Sequence, residues 1–200
     1  MDLEHITSLA TALILGPIAA GAVLAVVRSD RVRGPLVALF VALVALGTVA
    51  IATVPSPGAL TGFPFNHKAG HLAMMAGEVL MALYILWVGV RSRYYLVVGL
   101  MLAQGAVMGT LEAASAGSLE VTHALFIDKL AVIMALLNGL VGGGICLYAV
   151  GYMRGYHSES HREVPDRRPM FFATLFVFVG AMFGIIFANS LTWLFFFWEI

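Results

Sequence analysis

Five charged side chains stand within apolar runs of this chain: Glu78, Glu112, the neighbours Asp128 and Lys129, and Glu199. An ionisable group inside a hydrocarbon layer costs about 2.5–3.5 kcal/mol on insertion scales, so each is a candidate for function. Glu199 is the most costly. It follows Trp193, Leu194, Phe195, Phe196, Phe197 and Trp198, eight residues past Leu191. At 1.5 Å per residue that is ~12 Å into a helix, near the middle of a ~30 Å layer. Desolvation there favours the neutral acid and a nearby cation favours the carboxylate; a carboxyl held between the two can take up and release a proton. That is proton-path chemistry. The competing reading is a neutral, hydrogen-bonded packing glutamate.

The other charges sit nearer the ends of their runs. Asp128 and Lys129 lie at the outer end of a fifth span, where an aspartate in the first turn suits the helix dipole. They serve either as a local ion pair and interfacial anchor or as a proton entry or exit. Glu78 is expected ~10 Å in from the outer end of the third span, and Glu112 ~5 Å in from that of the fourth. His71 precedes Glu78 by seven residues and Gln104 precedes Glu112 by eight, spacings that share a helical face. The four form a possible polar cluster across one hairpin, either bonding the helices together or relaying protons.

The elements that carry these residues are membrane helices. The chain has 200 residues, 61% hydrophobic and 11% charged, with mean hydropathy +0.96; soluble domains carry about 25% charged residues. The apolar residues come in runs of about 20, the length that spans a bilayer as helix, and strand alternation is absent. The predicted fold is all-α: a polytopic transmembrane bundle of about six full spans and a truncated seventh. Spans are predicted at 7–27, 35–54, 71–90, 95–115, 124–153, 170–188 and 191 to the end. Pro55, Pro57 and Gly58 end the second span, and Ala188-Asn189-Ser190 breaks the stretch that would otherwise run too long for one helix. Alternate loops hold Arg28, Arg31, Arg33, Arg91, Arg93, Arg154, Arg162, Arg167 and Arg168, against Lys68 and Lys129 on the other side. Nine against two is a positive-inside signal, placing the arginine loops in the cytoplasm and the N-terminus outside. The first run follows Asp2 and Glu4 with no Lys or Arg, unlike a signal peptide.

Several function classes are excluded or disfavoured. Net charge is zero, with no basic tail to suggest nucleic acid. The lone Cys146 builds no disulfide framework. His157 and His161, near Glu159 and Glu163, read as a wet, mixed-charge loop rather than a metal site. No phosphate loop, CxxC pair, haem motif or hydrolase triad is present, so no cofactor and no redox site are expected in this chain. Gly139, Gly142, Gly143 and Gly144 are expected to allow close helix approach. Phe171, Phe172, Phe176 and Phe178 are expected to pack or face lipid.

The stretch Phe126-Ile127-Asp128-Lys129-Leu130-Ala131, followed by Ile145 to Met153, resembles the N-terminal signature of the antiporter-like proton-translocating subunits. These occur in respiratory complex I, in Mrp-type cation/proton antiporters and in energy-converting membrane-bound hydrogenases. Phe171-Phe172, Leu175-Phe176, Gly180-Ala181-Met182, Ala188-Asn189 and Leu194 to Glu199 resemble the family's next two helices. The resemblance covers about residues 124–200; Lys129 stands where glycine is common. It divides the chain into 1–120, four N-terminal spans with an extra hairpin at 71–115 of the hydrogenase-linked kind, and 121–200, the start of a proton-channel domain. It implies that Glu199 is the channel glutamate that faces a lysine on a later broken helix. The chain then reads as the N-terminal part of a longer subunit. It implies partners as well: other membrane subunits and a peripheral redox module, in a NADH:quinone oxidoreductase-like or hydrogenase-type translocase of the inner membrane. The alternatives are a cation/proton antiporter subunit and a non-transporting scaffold or assembly fragment.

Overall fold

The computed structural model describes residues 3–54, 58–60, 65, 67–115, 123–156 and 166–200. Its helices are α1 Leu3–Val26, α2 Asp30–Ala52, α3 Lys68–Arg91, α4 Tyr95–Ser115, α5 Lys129–Leu136, α6 Gly143–Gly155, α7 Arg168–Phe187 and α8 Leu191–Glu199. A π-helical turn, Leu137–Gly142, joins α5 to α6, and the three run as one apolar segment, Lys129–Gly155. Among the described residues five helices are long and apolar enough to cross a membrane, and Tyr95–Thr110 forms a shorter apolar one. The protein is an all-α, multi-pass membrane bundle.

Two short strands depart from the all-helical expectation. β1, Gly58–Leu60, pairs antiparallel with β2, Leu125–Ile127, in the register Gly58↔Ile127. Residue 124, the expected start of the fifth span, therefore precedes a strand, and the helix begins at Lys129. Buried backbone groups between helices need partners, and the pairing supplies them: Leu60, Leu125 and Ile127 are buried there.

The chain divides into two compact units, residues 1–62 with 123–200, and residues 63–122. In the first, α7 is the central helix. Phe172, Phe176, Phe183 and Phe187 are fully buried along it, while Phe171 and Phe178 are exposed. α1 runs antiparallel against α7, and glycines make the contact close. A Cβ on Gly180 would lie 2.6 Å from the Ile14 carbonyl oxygen, and one on Gly21 2.7 Å from that of Ala173. Lipid tails are as apolar as leucine, so close packing of this kind, rather than hydrophobic exclusion, holds membrane helices together. In the second unit α3 and α4 form a hairpin. Its turn places Arg93 at φ 57 and closes with Tyr94 N–H donating to the Gly89 carbonyl at 2.9 Å.

Candidate functional site

α7 must stop before α8 can present Glu199, and the break falls where the sequence predicts. Ala188 turns extended, Ser190 precedes α8, and Asn189 ties the corner down. The Asn189 amide N–H donates to the Ala124 carbonyl at 2.8 Å, and its side-chain Nδ2 donates to the His123 carbonyl at 2.9 Å. A bridge between Leu125 and Ala188 joins β2 to the same corner. The starts of α5 and α8 and the end of α7 are thus anchored together.

Depth can be counted from that anchor. Glu199 lies eight residues into α8, Val179 eight residues back from the end of α7, and Asn138 nine residues into the α5 segment. Each distance is ~12–14 Å at helical rise. Asn138 opens the π-helical turn, and its Nδ2 donates to the Val179 carbonyl at 3.1 Å. Gly139 beside it meets Thr48 of α2, whose hydroxyl donates to the Val44 carbonyl. Thr11, eight residues into α1, carries a buried hydroxyl with no hydrogen-bond partner among the described residues. Thr11, Thr48, Asn138 and Glu199 thus stand as polar groups within the apolar helices of this unit.

Glu199 itself is half-buried. Trp193 and Phe197 form the buried face of α8, and their rings stack at 5.9 Å. Phe197 lies against Gly184 of α7. At 100° per residue, Glu199 shares a stripe with Thr192 and Phe196 on the flank of that face.

The remaining predicted residues fall as follows. Asp128 is the N-cap of α5, its carboxylate accepting from the Ala131 amide at 2.7 Å. It thus precedes the first turn rather than lying in it, and Lys129 begins the helix with its side chain exposed. Glu78 is half-buried and sits ten residues into α3, or ~15 Å, deeper than expected because the helix begins at Lys68. His71 is exposed in the first turn of α3, and Gln104 is half-buried on α4. Glu112 falls on α4, with its side chain outside the described residues, as are His157, Glu159, His161 and Glu163. No group of three or more His, Cys, Asp or Glu that could hold a metal occurs among the described residues. Asn138 and Thr11 were not singled out by the sequence; a lone asparagine ten residues after Asp128 in an apolar run was the available signal.

Residues 114–162 match the family model described as NADH-ubiquinone oxidoreductase (complex I), chain 5 N-terminus. The chain is 38% identical over 84 residues to NADH-quinone oxidoreductase subunit L of Mycobacterium tuberculosis, covering 42% of this chain and 12% of that protein. It is 32% identical over 83 residues to the antiporter subunit mnhA2 of Staphylococcus epidermidis, covering 42% of this chain and 9% of that one. It is 32% identical over 76 residues to the Na(+)/H(+) antiporter subunit A1 of Staphylococcus haemolyticus, covering 38% and 8%. The aligned segments thus span 8% to 12% of the length of these curated relatives. No solved structure matches the chain.

Proposed function

We propose that the chain, whose residues 114–162 match the complex I chain 5 N-terminal model, is an antiporter-like membrane subunit and supplies the opening helices of a proton-translocating subunit, with Glu199 as a relay carboxyl. The observation that carries this is the position of Glu199: eight residues past the start of α8, half-buried, on the flank of the Trp193 and Phe197 face. A carboxyl at that depth is costly unless it exchanges a proton or is firmly paired. Asp128 and Lys129 stand at the outer approach, and Glu78, Glu112 and His71 form a second candidate polar path in the α3–α4 hairpin.

In this reading the arginine-bearing ends face the cytoplasm and the N-terminus lies outside, following the charge asymmetry of the loops. The working assembly includes other membrane subunits, and a peripheral redox module supplies the driving force. A second reading is favoured by the names of the staphylococcal relatives: a subunit of a sodium/proton antiporter, driven by an ion gradient alone. Vesicles holding the assembled complex discriminate the two. Proton uptake driven by electron transfer supports the first, and uptake driven only by a sodium gradient supports the second. In either case Glu199→Gln is expected to abolish uptake, and uptake at the wild-type rate removes the relay role. A scaffold role predicts that Glu199→Gln leaves uptake intact and lowers only assembly.

A further inference from the structure

At the arginine-bearing end of the larger unit the helices enclose a recess that the proton path does not use. α2 starts there at Asp30, α6 ends at Gly155 and α7 starts at Arg168. Arg33 forms its floor, with a side chain only 3% exposed. Its Nη2 donates to the Val27 and Arg28 carbonyls at 3.0 and 2.9 Å, and its Nη1 donates to Asp30 at 2.6 Å. The guanidinium lies over the Phe172 ring, 6.0 Å from its centroid. The second oxygen of Asp30 accepts from Arg168. Arg168 is in turn held by Asp166, through Nε and Nη2 at 2.8 Å each. That pairing holds the Asp166 carboxyl down to about 2. One carboxylate is thus spread over two fixed guanidiniums.

Arg154 completes the rim. It crosses Gly34, where a Cβ would come 4.0 Å from its Nη2. It is exposed, and no carboxylate lies within ion-pair distance of it among the described residues. Six arginines (Arg28, Arg31, Arg33, Arg154, Arg167 and Arg168) face two aspartates, Asp30 and Asp166, among the described residues of this end. The excess is positive, and the recess concentrates it. It is part-open and leaves about 10 Å³ of space, room for no more than one oxygen-sized group. A ligand must therefore insert a single oxygen and keep its bulk outside.

We propose that this recess binds a phosphate group, with Arg154 as the exposed donor and Arg33 and Arg168 as the preset floor. Arginine forks match phosphate oxygens, and helices held this way on a cytoplasmic face take anionic lipid headgroups. The single-oxygen entrance suits a phosphodiester lying at the membrane edge. Free inorganic phosphate offers the same chemistry.

The test uses the full chain purified in a neutral detergent, with thermal unfolding followed by circular dichroism. Phosphatidylglycerol, phosphatidylcholine and inorganic phosphate are titrated separately at constant ionic strength. The expected result is a saturable rise in Tm with phosphatidylglycerol and a much weaker one with phosphatidylcholine, whose choline cation offsets the phosphodiester charge; an equal rise with both would overturn the proposal. Arg154→Gln should leave the lipid-free Tm unchanged, because Arg154 makes no ion pair among the described residues, and should weaken the phosphatidylglycerol response by roughly tenfold. Arg154→Lys should restore part of it. An equal response to inorganic phosphate would keep the site and assign it to a soluble anion. No response to either ligand, or one that Arg154→Gln leaves intact, would overturn the proposal.

Discussion

Replacing Gly180 by alanine tests the claim that α1 and α7 are held by close approach. The added Cβ would lie 2.6 Å from the Ile14 carbonyl oxygen, where ordinary contact begins at 3.4 Å. Ile14 contributes backbone there, so no side chain can swing away; the helices must separate by roughly 0.8 Å. A gap of ~0.5–1 Å forfeits a quarter to a half of each dispersion contact along the seam, and overpacking costs about 1–3 kcal/mol. Against this, alanine gains about 1 kcal/mol of helix propensity over glycine. The net is a loss of about 0–2 kcal/mol. Gly151→Ala is the control, since its Cβ meets nothing within 4 Å; it should be neutral or stabilise by up to about 1 kcal/mol. Gly21→Ala, 2.7 Å from the Ala173 carbonyl oxygen, should behave like Gly180→Ala. The double variant should cost less than the two singles together, because one separation relieves both contacts. Unfolding in a rising mole fraction of dodecyl sulfate, followed by circular dichroism, reads all four. If Gly180→Ala and Gly151→Ala shift the midpoint equally and in the same direction, the close-approach argument is wrong.

Two further predictions concern the ends of the helices. Asp128→Ala removes the N-cap of α5 and should cost about 1 kcal/mol in the same titration, with Asp128→Asn recovering most of it; a proton-entry role would instead lower ion uptake in Asp128→Asn while leaving stability near wild type. Asp166 has its pKa lowered from 3.8 to about 2 by Arg168. The folded value is below the unfolded one, so this contribution is fully present above about pH 4 and fades as pH falls toward 2. The carboxylate is exposed, and solvent screening keeps its worth below about 1 kcal/mol. Asp166→Asn should therefore lower the neutral plateau by less than about 1 kcal/mol and leave stability near pH 2 unchanged, so that the acid limb is slightly flatter.

Much of the fold was legible in the sequence because hydropathy is a long-range average. Runs such as Leu36 to Val54 and Met170 to Phe187 could only be helices in lipid, and Ala188-Asn189-Ser190 marked the α7–α8 corner. What was not legible depends on neighbours distant in sequence. β1 and β2 are three residues each and carry no alternation; they pair because two loops meet. The π-helical turn at Leu137–Gly142 coincides with Gly139 pressed against Thr48 and Asn138 bonded to the Val179 carbonyl, contacts that no local pattern encodes. Arg33 counted in the sequence only as one of nine charges that orient the chain; its burial under Phe172 appears only once α2 and α7 are together. Glu199 stood out early for the opposite reason. A carboxyl after six apolar residues is conspicuous without any knowledge of what surrounds it.

The central claim is that the Glu199 carboxyl gains and loses a proton during turnover. Infrared difference spectroscopy on the assembled complex, poised at rest and under driving force, measures this directly. The account predicts a carboxylic acid C=O band in the difference spectrum that disappears in Glu199→Gln, together with ion uptake. A wild-type complex that translocates with no Glu199-dependent carboxyl band would contradict it.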